Sequence, residues 1–196
     1  MVSDTTRSDG PSPPQPRLGP AEHSLLGMLA SAESEGIHGY DLARQYTVGV
    51  LGEIIRLEPG MLYHHLKKLD RYRLLTTQVK QQSDRPDRQV HTLTETGASH
   101  LHAWLREPVQ ATREIRLDFL LKLLFTRRLA PERLHDLVNE QRMVLATLAA
   151  SLEGQVNTPV ADADAVERHM VLRLRLAQTR AAIDWLDSLL PLGDDA

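Results

Sequence analysis

The sequence predicts a mainly α protein with a small β-hairpin: a winged helix-turn-helix domain followed by an α-helical dimerisation domain. Three observations carry this expectation. Helical patterns precede a hairpin pattern and another helix follows it, which is the order of a winged helix-turn-helix. One of those helices has a leucine seam and a cationic front. Residues 113–190 then form three helical segments with wide apolar stripes.

Taken in order, residues 1–20, "MVSDTTRSDGPSPPQPRLGP", carry prolines at 11, 13, 14, 16 and 20 and read as a disordered, partly polyproline-II tail. The first helix follows, with Leu25, Leu26, Met28 and Leu29 on one face and Gly36 as its end. "EGIHGY" reads as a turn, and a second helix starts at Gly39. "TVGVLGEIIRL", interrupted by Gly49 and Gly52, reads as a loop with one short helical turn. Pro59 opens the next helix, where its missing N–H is not needed. "LLTTQVK" and "QVHTLTE" are β-branched and roughly alternating, with the polar tip "QQSDRPDR" between them, so they predict a hairpin. Thr94, Glu95 and Gly97 open a helix that ends near Arg106, before Pro108. The expected domains are 21–108 and 109–196. The last helix bears two apolar stripes: Val166, Met170, Leu174, Ala177 and Ala181 on one side, Leu172, Leu176, Ile183, Leu186 and Leu190 on the other. Two stripes need two packing partners, so a homodimer is expected.

Composition excludes several classes. The 196 residues contain 23 Lys plus Arg against 26 Asp plus Glu, a net charge of -3, so the average charge does not mark a nucleic-acid partner. No cysteine is present, which rules out disulfides, thiolate metal sites and cysteine catalysis and fits a reducing cytoplasm. No apolar run approaches the ~20 residues of a membrane span, and the N-terminus has no apolar signal core.

Charge is nevertheless concentrated locally. On a helical wheel, Leu66 and Leu69 fall within about 40° of Leu62, while Gly60, His64, Lys67, Lys68 and Arg71 lie about 140° to 240° away. Gly60 removes a side chain where a phosphate would approach the helix N-terminus, and Tyr63 brings a hydroxyl to the edge. From 67 to 88, seven Lys/Arg stand against three Asp, with Arg85 and Arg88 on the hairpin tip. Such a face suits a DNA duplex, with long cations for phosphates and base edges.

Four ordered motifs resemble the PadR-type transcriptional regulators: His38-Gly39-Tyr40, the run Pro59-Gly60-Met61-Leu62-Tyr63-His64-His65-Leu66, Arg85-Pro86-Asp87-Arg88, and Leu93-Thr94-Glu95-Thr96-Gly97. "DFLLKLLF" (118–125) is similar to the start of the helical C-terminal domain in the longer branch of that family. The resemblance implies a homodimeric regulator of transcription, more often a repressor, that binds double-stranded DNA. The last helix would pack on the partner's N-terminal region. It places Tyr63 at phosphates, His64, Lys67 and Lys68 at the major groove, and Arg85 and Arg88 at the wing. Glu58, Met61 and His64 depart from the family pattern. Of these, Glu58 and Met61 leave open an adaptor or dimerisation module of the same fold without specific DNA binding.

Other chemistry finds little support. His64-His65 and His100-x-His102 are the closest histidine groupings and have no metal-ligand spacing, so neither a metal nor another cofactor is expected. No GxGxxG, Walker A or GxSxG occurs, and Asp118, Asp136 and Glu140 read as solvated helix surface, so no enzyme is expected. Trp104 and Trp185 read as core or interface anchors. The alternative is a flat wall for a small aromatic effector, of the kind to which several members of the family respond.

Overall fold

A computed structural model describes residues 17–32, 36–82, 85–158 and 164–190; within 80–88 it describes strand backbone and not side chains. The expected tail therefore falls mostly outside the described residues. Its last residues belong to the fold: Leu18 packs on the core and Pro20 is the first residue of α1 (Pro20–Ala30).

Helix α1 is the centre of the N-terminal unit. Leu25 and Leu26 are fully buried, and, unexpectedly for their types, Glu22, His23 and Ser24 are buried too. The hydroxyl of Ser24 shares a 2.7 Å hydrogen bond with Tyr46 of α2 (Gly39–Val48). A short α3 (Val50–Ile54) follows, as the glycine-broken segment predicts, and then α4 (Pro59–Arg71). Leu62, Leu66 and Leu69 of α4 close the core from below. Arg73, in the left-handed region at φ 57°, ends that helix, and Leu74 donates its N–H back to the Leu69 carbonyl at 3.0 Å.

The hairpin is β2 (Leu75–Gln82) with β3 (Arg85–Leu93), antiparallel from Leu75–Leu93 outward, with an irregularity between Lys80 and Gln82. Two expectations change here. "EGIHGY" is not simply a turn: its Ile37–His38 forms β1, which pairs with His91 and Val90 and makes a three-stranded sheet of order β1-β3-β2. Two residues are too few to show alternation, so only the neighbouring strand defines this one. Gly36 does not end α1, which stops at Ala30. At φ +80°, Gly36 runs against β3, where a Cβ would sit 2.7 Å from the His91 carbonyl oxygen. Thr94 caps α5 (Glu95–Arg106) by accepting from the Gly97 N–H at 3.0 Å.

Beyond the sheet, one turn of π-helix (Ile115–Phe119) leads into α6 (Leu120–Leu129), and α7 (Leu134–Asn157) and α8 (Ala165–Leu189) pair as a helical hairpin. Helix α6 faces both ways. Its Leu121 and Phe125 complete the N-terminal core, while Phe119, just before it, joins Leu137, Val138, Leu145 and Leu186 in a second core. The join is held by the fully buried Gln141, whose amide accepts from the Val109 N–H (2.8 Å) and donates to its carbonyl (2.9 Å). The two stripes of α8 separate as expected. Leu172, Leu176 and Leu186 are buried, whereas Val166, Met170 and Leu174 are 60–70% exposed. No helix among the described residues is long and apolar enough to cross a membrane.

Candidate nucleic-acid interface

Helix α4 presents the face that its wheel predicts, with one exception. Gly60, His64, Lys67 and Arg71 are exposed, opposite the leucine seam. An added Cβ at Gly60 would meet nothing within 4 Å, so the helix entrance is open to an approaching anion. Among the described residues no ion pair engages Lys67 or Arg71, and the Arg71 guanidinium lies 5.3 Å from the ring centre of Tyr72.

Tyr63 is half exposed, and its ring rests on the start of α2. A Cβ at Gly39 would lie 3.1 Å from the Tyr63 ring and 3.2 Å from its hydroxyl oxygen. The glycine of the first motif thus makes room for the tyrosine of the second. The two motifs meet in space and fix where the phenol points.

Lys68 is the exception. Its Nζ donates to Oε1 of Glu22, a residue of α1 that is only 3% exposed. The same oxygen bonds Nδ1 of His65 at 3.1 Å, and Oε2 accepts the Gly19 N–H at 2.9 Å. Burial raises the Glu22 pKa, but the bonds from Lys68, Gly19 and His65 outweigh it and bring the carboxyl down to about 2. The wheel placed Lys68 on the open face because it considers only α4. Helix α1 covers that flank, so the free stripe is Gly60, His64, Lys67 and Arg71.

At the wing, Arg88 faces Lys80 and Arg85 faces Gln82 across the hairpin. The side chains of Arg85 and Arg88 lie outside the described residues.

The two tryptophans part company. Trp185 anchors the second core, edge-on to Phe119 with ring centres 6.1 Å apart. Trp104 stacks on His23 (4.3 Å, 9° between planes) and forms a wall of an open cavity of about 380 Å³. Leu18, Ser99, His100 and Glu107 line it too. Nδ1 of His23 and Nε2 of His100 are buried without a hydrogen-bond partner among the described residues. Burial, with Lys122 and His100 nearby, lowers the His23 pKa to about 4, so its ring is neutral at pH 7.

Sequence reasoning missed Lys122. It is 2% exposed, donates to the Trp104 carbonyl and holds its Nζ 4.2 Å from that ring's centre. Burial lowers its pKa to about 8. The available signal was one lysine inside the apolar run "DFLLKLLF". Asp118, read as solvated, is half-buried with its pKa raised by burial and then by Glu114; Asp136 and Glu140 are exposed or nearly so. No group of three or more metal-ligating side chains occurs among the described residues.

Comparison with known proteins agrees with the motifs. Residues 27–103 match the transcriptional regulator PadR-like family, and residues 115–192 match the virulence activator alpha C-terminal domain. The negative transcriptional regulator PadR of Bacillus subtilis is 26% identical over 182 residues, covering 88% of this chain and 97% of the relative. A probable transcriptional regulator of Mycobacterium tuberculosis is 25% identical over 188 residues, covering 85% and 94%. Among solved structures, Bacillus subtilis PadR with operator DNA gives a TM-score of 0.43 at 24% identity, covering 88% of this chain and 98% of that one. The same protein with p-coumaric acid gives 0.40 at 24% identity, covering 90% and 100%. The two family matches span the chain apart from its ends and a short junction, and with the near full-length relatives they place it: the chain belongs to the PadR-like family of transcriptional regulators.

Proposed function

We propose that the protein is a cytoplasmic, non-enzymatic repressor that binds DNA as a homodimer and reads an inverted repeat. The observation that carries this reading is the free cationic face of α4 opposite a fully buried leucine seam. Lys67 and Arg71 would meet phosphates or base edges, His64 and the open turn at Gly60 would enter the major groove, and Tyr63 would donate to the backbone. Arg85 and Arg88 would hold the flanking phosphates. The division into 21–108 for DNA and 109–196 for assembly belongs to this proposal, with α6 tying the two together. The uncovered stripe Val166, Met170 and Leu174 supports a second copy as the partner of α8. Repression rests on the negative regulator to which the chain is similar along its length.

The effector reading narrows to Trp104. The cavity beside it has an aromatic wall and two unpartnered imidazole nitrogens, which suits a flat hydroxylated aromatic. His23 lines this cavity and Glu22, next in the chain, holds α4. A ligand that displaced the first turn of α1 would therefore move α4, provided it binds one arrangement better than the other. p-Coumarate, with which the Bacillus subtilis relative was solved, is the first compound to try.

An adaptor without specific DNA binding is the competing reading. It draws on Glu58, an exposed carboxylate at the α4 N-cap that makes no capping bond and would repel a phosphate. Selection from a random-sequence duplex pool separates the two. The repressor reading expects enrichment of an inverted repeat with half-sites about 10 bp apart, centre to centre. A pool that stays random favours the adaptor.

A further inference from the structure

We infer that Glu22, on α1 and outside the DNA-facing surface, is a positioning residue for operator discrimination: it fixes the recognition helix and withholds Lys68 from the phosphates. The inference rests on the DNA-reading proposal and adds to it.

The leucine seam sets how deep α4 sits, but apolar contact is non-directional and leaves rotation and sliding weakly specified. The Glu22 carboxylate supplies direction. It is 3% exposed and held from its own side by the Gly19 N–H at 2.9 Å. Its other oxygen grips His65 and Lys68, three residues apart and so on one flank of α4. A buried carboxylate without its partners is strongly disfavoured, so the contact resists any slide of α4 that would break it.

The same contact removes a cation from the surface. An amine neutralised by Glu22 releases no counterion from DNA and adds nothing to sequence-independent affinity. Glu22 thus acts twice on the ratio of specific to non-specific binding. It orients the residues that read bases, and it lowers the background attraction that any duplex would feel. A carboxylate serving only to stabilise the fold would do neither.

The test uses the full-length protein, the duplex returned by the selection above and a random duplex of equal length, each titrated across salt. Glu22→Gln keeps an acceptor for Gly19 and removes the charge. It should weaken operator binding about tenfold, strengthen random-duplex binding and steepen the random-duplex salt slope by about one. An unchanged ratio of the two affinities, or an equal loss on both duplexes, overturns the inference. Lys68→Gln decides the matter if Glu22→Gln does not fold: operator affinity should fall with the salt slope unaltered, unlike Lys67→Ala. A slope flatter by about one would mean that Lys68 touches phosphate, and unaltered operator affinity would mean that the clamp orients nothing; either contradicts the proposal. If no duplex is selected at all, the DNA-reading proposal fails instead.

Discussion

Lys122 places a positive charge in the joint between the two halves of the chain, where its Nζ meets the Trp104 carbonyl and ring and the carboxylates of Glu107, Asp118 and Glu114 only partly offset the cost of burial. Its folded pKa, about 8, lies below the ordinary 10.5, so the unfolded chain binds more protons between these values. Stability should therefore climb as pH rises from about 8 to 10.5. Lys122→Met should abolish that climb and add about 1–3 kcal/mol at pH 7. Thermal melts over the pH series check it, and a climb that survives the substitution assigns it elsewhere. Glu22 has the opposite dependence. Its folded pKa of about 2 lies below 4.5, so its stabilisation is complete above 4.5 and is lost as pH falls toward 2. Glu22→Gln should flatten the acid limb of the same series. Neither residue was legible as a buried charge. Lys122 meets Trp104, 18 positions away, and Glu22 meets His65 and Lys68, 43 and 46 positions away. No local periodicity records such partners.

At the scale of elements, the sequence was most readable where a residue type acts on its own backbone. Pro59 starts a helix, Thr94 caps one, and the leucines of α4 form the seam that their spacing predicts. Reading failed where an element exists only through a neighbour. Ile37–His38 is a strand because β3 lies beside it, and Lys68 is covered because α1 packs on that flank. The wing tests whether the hairpin is an electrostatic clamp or a reader of bases. Arg85→Ala with Arg88→Ala should lower affinity for selected and random duplexes by similar factors, about three- to tenfold, because phosphate contacts carry no sequence information. A loss confined to the selected duplex would make the wing a sequence reader.

At the scale of the whole molecule, α8 links architecture to function. One stripe is built into the core with α7, so deleting the helix would expose Leu137, Leu145 and Leu152 and would not isolate assembly. Substitution on the other stripe is cleaner. Met170→Glu with Leu174→Glu should give a folded monomer by light scattering, and operator affinity should collapse because two half-sites are no longer engaged together. A dimer that persists would move the interface elsewhere. In the proposed function, the face of α4 left free by α1 is the surface that meets duplex DNA. Titrating the selected duplex with wild type and with Lys67→Ala/Arg71→Ala, from about 50 to 200 mM salt, tests it most directly. Affinity should be at least tenfold lower for the double variant, with a salt slope flatter by about two. Equal affinity and an equal slope for the two proteins would contradict it.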